Sequence, residues 1–345
     1  MAPSQWQGTR GEAIGTGGDV RIVILYDMGA TDWTQEDVHA VLGCVDATSH
    51  ALEQEGHEVE RVAVGSDFTW LDRVRTADVV FNLCEGVGGQ SHLESHVAST
   101  IELLGVPATG VSAWTMVMCY DKPMLNTILA ANGLPIPAWR VPTDDTDLDD
   151  FPLPAIVKPA SEDASIGVDQ GAVVTDADEL RERVAWAHKE FGDVIVQQYI
   201  AGREIAVAFV SDEVLPLSEI DFSTMPEDHW PIVTFEAKWS PNSPDYKGTV
   251  PVCPADIDDD LRDRIVTIAS DAWKTVRGHG YGRVDFRIDD EGSPWLLEVN
   301  PNPDSSPDAG LANMAMAHGW TYDELVMRIL AEAFVATQPA GAPSG

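Results

Sequence analysis

Apolar residues run almost unbroken through VRIVILYDMG at 20–29, which predicts a buried strand. Helical apolar spacing follows over 35–55, and HEVERVAVG predicts a second strand, so the chain opens as a βαβ unit. A third strand at 78–83 runs into CEGVGGQSHLESHVASTIELLG, a glycine-containing loop that feeds a helix. Such a loop marks a tight turn more often than an anion site. Asp121-Lys122-Pro123 begins the next helix, and the proline-rich stretch LPIPAWRVP crosses from it into a second lobe.

In that lobe 153–158 is an apolar strand ending on Lys158, followed at 159–167 by small residues whose backbone N–H groups can face phosphates. The order G-x-x-x-x-G-K-[ST] is absent, which sets a P-loop enzyme aside. Residues 194–200 form another strand, Ala201-Gly202-Arg203-Glu204 a bend, and 205–210 the returning strand. Lys238 stands before 240–248, a run of Ser, Pro, Asn, Asp and Gly that predicts a mobile flap.

The densest chemistry lies in VDFRIDDEGSPWLLEVNPNP at 284–303. Val284, Phe286 and Ile288 alternate with Arg283, Asp285 and Arg287, so the two sets take opposite faces of a strand. After the turn Asp289-Asp290-Glu291-Gly292, Trp295, Leu297 and Val299 are expected on one face of the returning strand, with Glu298 and Asn300 on the other. Asp285, Glu298 and Asn300 then stand together, and Pro301 and Pro303 end the ladder where a ligand can reach them. Two carboxylates and an amide make the all-oxygen set that Mg²⁺ prefers, the ion completing its shell with water and substrate phosphates. A solvated hairpin with a charged face is the plainer reading of the first strand alone; the proline-ended Glu-x-Asn favours the metal site. His92 and His96, with Glu94 between them, read as an ordinary helix start because no third ligand is evident.

The chain has 345 residues, enough for two or three small domains. With 57 acidic against 21 basic residues its formal net charge is -36, so duplex nucleic acid and anionic membrane surfaces would repel it. This imbalance resembles that of proteins adapted to high salt, and fits an acidic protein of an ordinary cytoplasm equally well. Cys44, Cys84, Cys119 and Cys253 are far apart, which indicates neither a zinc site nor a disulfide framework. No secretory signal or membrane span is visible, and a cytoplasmic location is expected.

The hairpin at 284–303, the strand ending on Lys158 with its small-residue loop, and the placing of Lys122, Lys158 and Lys238 resemble the ATP-grasp ligase superfamily, most closely D-alanine–D-alanine ligases. The resemblance runs in order over roughly 20–332. It implies an α/β protein of ATP-grasp fold: a Rossmann-like, substrate-binding βαβ domain at 19–117, and two α+β lobes clasping ATP at 118–205 and 206–335, with 1–18 and 336–345 as frayed termini. It implies further that Lys122 and Lys158 bind phosphates and that Lys238 contacts the nucleotide. Gln197, Gln198, Tyr199 and Ile200 would be the adenine hinge, pairing through an open strand edge. Glu204, on its residues alone more often a surface side chain, would contact the ribose. Asp285, Glu298 and Asn300 would hold two Mg²⁺ ions, with Mn²⁺ as a substitute, and Arg283 would steady the transferred phosphoryl group. Glu36 would bind the first substrate's amino group, and Ser165, in the loop after Lys158, is a further catalytic candidate.

The implied activity joins a small-molecule carboxylate or amino acid to an amine through an acyl phosphate, releasing ADP and phosphate. No side chain becomes covalent, loops 159–167 and 240–248 are the candidate lid, and a homodimer through the first domain is common in the family. Three departures stand out. Cys84-Glu85-Gly86 replaces a His-Gly step, Asp304-Ser305-Ser306 replaces Gly-Met-Thr, and Ala309 falls near the serine that grips the second substrate's carboxylate. A lost hydroxyl and an added carboxylate disfavour D-alanine as acceptor and favour a cationic or neutral amine, so different substrates are expected. Two other readings stay open: a nucleotide-binding regulator of this fold without turnover, and a ligase whose acceptor is a thiol, a hydroxyl or an intramolecular nitrogen.

Overall fold

The computed structural model describes residues 20–29, 35–143, 146 and 148–335, and the side chains at 35–37 lie outside that description. In the first part of the chain β1 (Arg21–Asp27) is the middle strand of a parallel sheet, between β2 (Glu58–Val64) and β3 (Val79–Leu83). Both faces of β1 are covered, which is why its apolar run has no polar side. Ile22 and Ile24 pack with residues of α1 (Gln35–Gln54), whereas Val23 and Leu25 pack with residues of α2 (Trp70–Val74) and α3 (Glu94–Leu104). After α4 (Ala113–Tyr120), the Asp121 carboxylate accepts the Met124 N–H at 2.8 Å, capping α5 (Lys122–Ala131) and fixing Lys122 in its first turn.

The second sheet is antiparallel, in the order β4 (Trp139–Arg140), β7 (Val194–Gln198), β5 (Ala155–Pro159) and β6 (Val173–Val174). The helix α6 (Ala177–Phe191) lays Leu180, Val184 and Ala187 on Ala155, Val157, Val194 and Val196. Strand alternation therefore turns Lys158 and Gln197 to the face away from α6.

The third sheet begins with β8 (Arg203–Val210), β9 (Glu213–Val214) and β10 (Ser218–Asp221). Then come α7 (Phe235–Trp239), α8 (Pro244–Gly248), β11 (Val250–Val252), α9 (Asp259–Thr275), β12 (Tyr281–Ile288) and β13 (Pro294–Asn300). Its order is β11-β10-β8-β12-β13, with β9 on β8. Leu261, Ile265, Ala269 and Ala272 form a stripe on α9 that covers Ile205, Val207, Val284, Phe286 and Ile288. Each fully buried aliphatic side chain contributes on the order of 1.5–3 kcal/mol, so the core sets the register and the charged face follows from it. The last helices, α10 (Gly310–His318) and α11 (Tyr322–Val335), return to pack beside α1 and β1.

Two expectations change. Asp285 pairs with Glu298 but Phe286 pairs with Leu296, which makes Leu297 an extra, bulged residue. Leu296 rather than Leu297 thus joins Val299 in the core, while Glu298 and Asn300 stay opposite Asp285 and Arg283. The stretch 240–248 contains α8, and Lys238 lies inside α7. A proline in the first turn and the Ser243 side chain, which accepts the Tyr246 N–H at 3.0 Å, are the helix signals in that run. Among the described residues no helix is long and apolar enough to cross a membrane, and the four cysteines are free thiols.

Candidate active site

In the β12–β13 ladder Arg283 lies opposite Asn300 and Asp285 opposite Glu298, so four polar side chains form one block on the sheet. Arg283 donates to both oxygens of Asp285, from Nε at 2.7 Å and from Nη2 at 2.9 Å. Burial, helped by Glu298 and Glu204, pushes the Asp285 pKa up to about 6 although Arg283 opposes it. Glu298 moves the other way: burial would raise it, but Lys238, Lys122, Lys158 and Arg283 together hold it below the usual carboxylate value. The three lysines singled out in the sequence therefore converge electrostatically on one carboxylate.

This donor set fits magnesium. Each Asp285 oxygen spends one lone pair on Arg283 and keeps another, Glu298 is in register beside it, and Asn300 adds a neutral oxygen. A divalent cation between the two carboxylates would relieve the repulsion from Glu298 that adds to burial in raising Asp285. Among the described residues no group of three or more His, Cys, Asp or Glu could hold a metal ion. Magnesium here would complete its shell from phosphate and water, and His92 and His96 gain no third ligand.

Lys158 donates to the Gln197 side-chain oxygen at 3.3 Å, and burial lowers its pKa against the pull of Glu298. Lys122 donates from Nζ to the Glu162 carbonyl, and its backbone N–H reaches the Ala160 carbonyl at 3.0 Å, so it braces the loop after β5. Glu204 pairs with Arg287 at 2.8 Å. Arg287 is only 3% exposed and also donates to the carbonyls of Gly202 and Pro231. Gly202 has φ 127°, and a Cβ there would lie 1.9 Å from the Ile288 oxygen, so this bend accepts only glycine.

The open strand edge expected at 197–200 is a correction. β7 is an interior strand: Gln197 pairs with Trp139, and the N–H groups of Gln198 and Tyr199 donate to Ala138 at 2.8 Å and Pro154 at 2.9 Å. The N–H groups of Gln198 and Tyr199 are therefore spent within the fold and not free to meet a base. The Tyr199 ring stands edge-on to Trp230 with centroids 5.3 Å apart. Ser165 is engaged rather than free, donating to the Val233 carbonyl at 2.9 Å. Glu36 falls in the first turn of α1, and its side chain lies outside the described residues.

Toward the first sheet the site turns acidic. Asp27, at the end of β1, accepts the N–H groups of Gly29, Gly88 and Gly89 at 3.0, 2.9 and 2.8 Å. The glycine loop is thus tied to a carboxylate of its own chain. Glu85 is exposed at its surface, yet desolvation, then Asp304 and Asp163, push its pKa up to about 7. Burial lifts Glu94 to about 8 although Asn302 donates to it at 2.6 Å. The Asn302 side-chain oxygen accepts from the Tyr281 hydroxyl at 2.6 Å, and its backbone N–H donates to the Asn300 side chain at 3.1 Å. Asn302 therefore links α3 to the side-chain amide of Asn300.

The family model described as D-ala D-ala ligase C-terminus matches residues 130–331, more than half of the chain. The chain belongs to the D-alanine–D-alanine ligase family. It is 32% identical over 299 residues to an uncharacterized protein, y4sG, of Sinorhizobium fredii, covering 83% of this chain and 85% of that one. To a D-alanine–D-alanine ligase of Novosphingobium aromaticivorans it is 31% identical over 297 residues, covering 84% and 90%. Among solved structures, the D-alanine–D-alanine ligase of Bacillus anthracis complexed with ATP superposes with a TM-score of 0.74 at 21% identity, covering 92% of this chain and 98% of that one. The VanG D-Ala:D-Ser ligase of Enterococcus faecalis gives 0.73 at 17%, covering 92% and 100%. At those identities the likeness speaks for the fold, which is ATP-grasp.

Within this family member the block Arg283, Asp285, Glu298 and Asn300 is brought together as strand alternation predicted, and Lys122, Lys158 and Lys238 act on it. Sequence reasoning gave Arg287, Asn302 and Asp163 no role, and weighed Glu94 only beside His92 and His96. Arg287 had a signal, since it shares the period-two face with Arg283 and Asp285. The other three act across turns or between sheets, and no local pattern announces them.

Proposed function

We propose that the protein is an ATP-dependent carboxylate–amine ligase that forms an amide through an acyl phosphate. The observation that carries this reading is the in-register pair Asp285 and Glu298 on the face where Arg283 and three lysines converge. A substrate carboxylate oxygen attacks the γ-phosphorus of ATP and the bond to the ADP oxygen breaks. An amine then attacks the acyl carbon, the bond to phosphate oxygen breaks, and the nitrogen sheds a proton. Lys122, Lys158 and Lys238 hold and screen the polyphosphate, and Arg283, locked by Asp285, steadies the charge of the moving phosphoryl group. Magnesium at Asp285, Glu298 and Asn300 would supply the remaining charge neutralisation. Glu204 would meet the ribose with the oxygen that Arg287 leaves free.

The acceptor end favours an amine other than D-alanine. Asp304 stands close enough to Glu85 to raise its pKa, so this end is acidic, and Ala309 offers no hydroxyl to a carboxylate. The test is ADP release from ATP and Mg²⁺ against amino acids and amines, singly and in pairs, D-alanine included, with product masses read in parallel. Release that needs two substrates, with an amide mass, is the expected result. ATP binding without release for any pair would favour the non-catalytic reading.

A further inference from the structure

The loop after Lys158 belongs to the second sheet and the segment carrying Lys238 to the third, yet they are joined along their length. Ser165 donates to the Val233 carbonyl at 2.9 Å, and the Phe235 N–H donates to Val168 at 2.9 Å. The Trp230 N–H donates to the Gln170 side-chain oxygen at 2.7 Å. The two stretches make a single composite lid. At its centre is Asp245 of α8, 2% exposed. It accepts from Gln170 Nε2 at 3.1 Å, from His229 Nδ1 at 2.6 Å, and from the Thr234 hydroxyl. Thr234 in turn caps α7, accepting the Ala237 N–H at 3.1 Å one residue before Lys238.

A buried carboxylate is a costly choice for stability alone, because desolvation takes several kcal/mol and an apolar residue of similar size often serves as well. Burial by itself would raise the Asp245 pKa; the bonds from Thr234, Gln170 and His229 reverse that and keep it below the ordinary value. The three side chains that donate to Asp245 come from both stretches, Gln170 from the first and His229 and Thr234 from the second. We propose that Asp245, gripped across the sheets by Gln170, is a positioning residue for the ligase reaction: it clasps the composite lid so that Lys238 stays over Glu298 and water is kept from the reacting carbonyl. This rests on the ligase reading above. When the clasp opens, water attacks the acyl carbon and the bond to phosphate oxygen breaks. The carboxylate is regenerated, one proton of the water remains on phosphate, and the other goes to solvent. The net reaction is ATP hydrolysis.

The variants Asp245→Asn and Gln170→Ala test this by the ratio of ADP released to amide formed, with melting temperature read alongside. Wild type should release one ADP per amide. In both variants the ratio should rise, roughly tenfold for loss of a hydrogen bond to a charged group, with the melting temperature near that of wild type. An unchanged ratio in both would overturn the proposal. Should Asp245→Asn fail to fold, Gln170→Ala decides alone. If wild type forms no amide with any substrate pair, the ligase reading fails, and the clasp is judged separately by the dissociation rate of a fluorescent ADP analogue. Faster release from the variants supports the clasp, and an unchanged rate removes it.

Discussion

At the residue scale, the proposed function rests on four side chains, Arg283 and Asp285 on one strand facing Asn300 and Glu298 on the next. Asp285 and Glu298 carry opposite pKa displacements because Asp285 is buried among carboxylates whereas Glu298 faces four cations. Replacing Glu298 with Gln removes the charge those cations and a metal would share, and should lower amide formation roughly a hundredfold or more. Steady-state kinetics beside a melting curve reads this; unchanged turnover would remove Glu298 from the site. A second prediction concerns pH. Glu94 is held at about 8 and Glu85 at about 7, against an ordinary 4.5, so the folded protein keeps protons that the unfolded chain has lost. Their contribution to stability is greatest at acid pH and is lost as pH rises from about 4.5 to 8. Glu94→Gln keeps an oxygen for Asn302 and should flatten that decline. The same slope in the variant, measured by thermal melts across this range, would contradict the assignment.

At the scale of elements, β12 shows how much a pattern can carry. Its alternation put Arg283, Asp285 and Arg287 on one face and Val284, Phe286 and Ile288 in the core, as the structure has them. In β13 the same rule misplaced Leu297, because a bulge is decided by the partner strand and has no signature in the strand that carries it. The edge at Gln197 failed for a related reason: β4, two residues long, covers it from a distant part of the chain. Asp245, inside a run that reads as a polar flap, could not be distinguished from a solvated aspartate until its three donors were placed around it. The bend at Gly202 was legible, and its constraint can be measured. Gly202→Ala drives a methyl group into the Ile288 carbonyl and should destabilise the fold by about 2–4 kcal/mol in urea titrations. An unshifted midpoint would mean the bend relaxes freely.

For the whole molecule the dominant quantity is a net charge of -36 on 345 residues. Most of the ion pairs are exposed on at least one side, among them Arg61–Asp46, Arg181–Asp178 and Arg262–Asp259, and such pairs contribute little. Self-repulsion should therefore outweigh them, and added KCl should raise the melting temperature by screening it. A melting temperature that falls steadily with salt would reverse that balance. Against that charge field, the three lysines and Arg283 that act on Glu298 are where the proposed function would seat a polyphosphate. The account depends on one chemical event there, transfer of the γ-phosphoryl group to a substrate carboxylate. The direct test is to supply that carboxylate labelled with heavy oxygen and weigh the phosphate released as the amide forms. One labelled oxygen in each phosphate is the predicted result; phosphate without label would mean that no acyl phosphate forms.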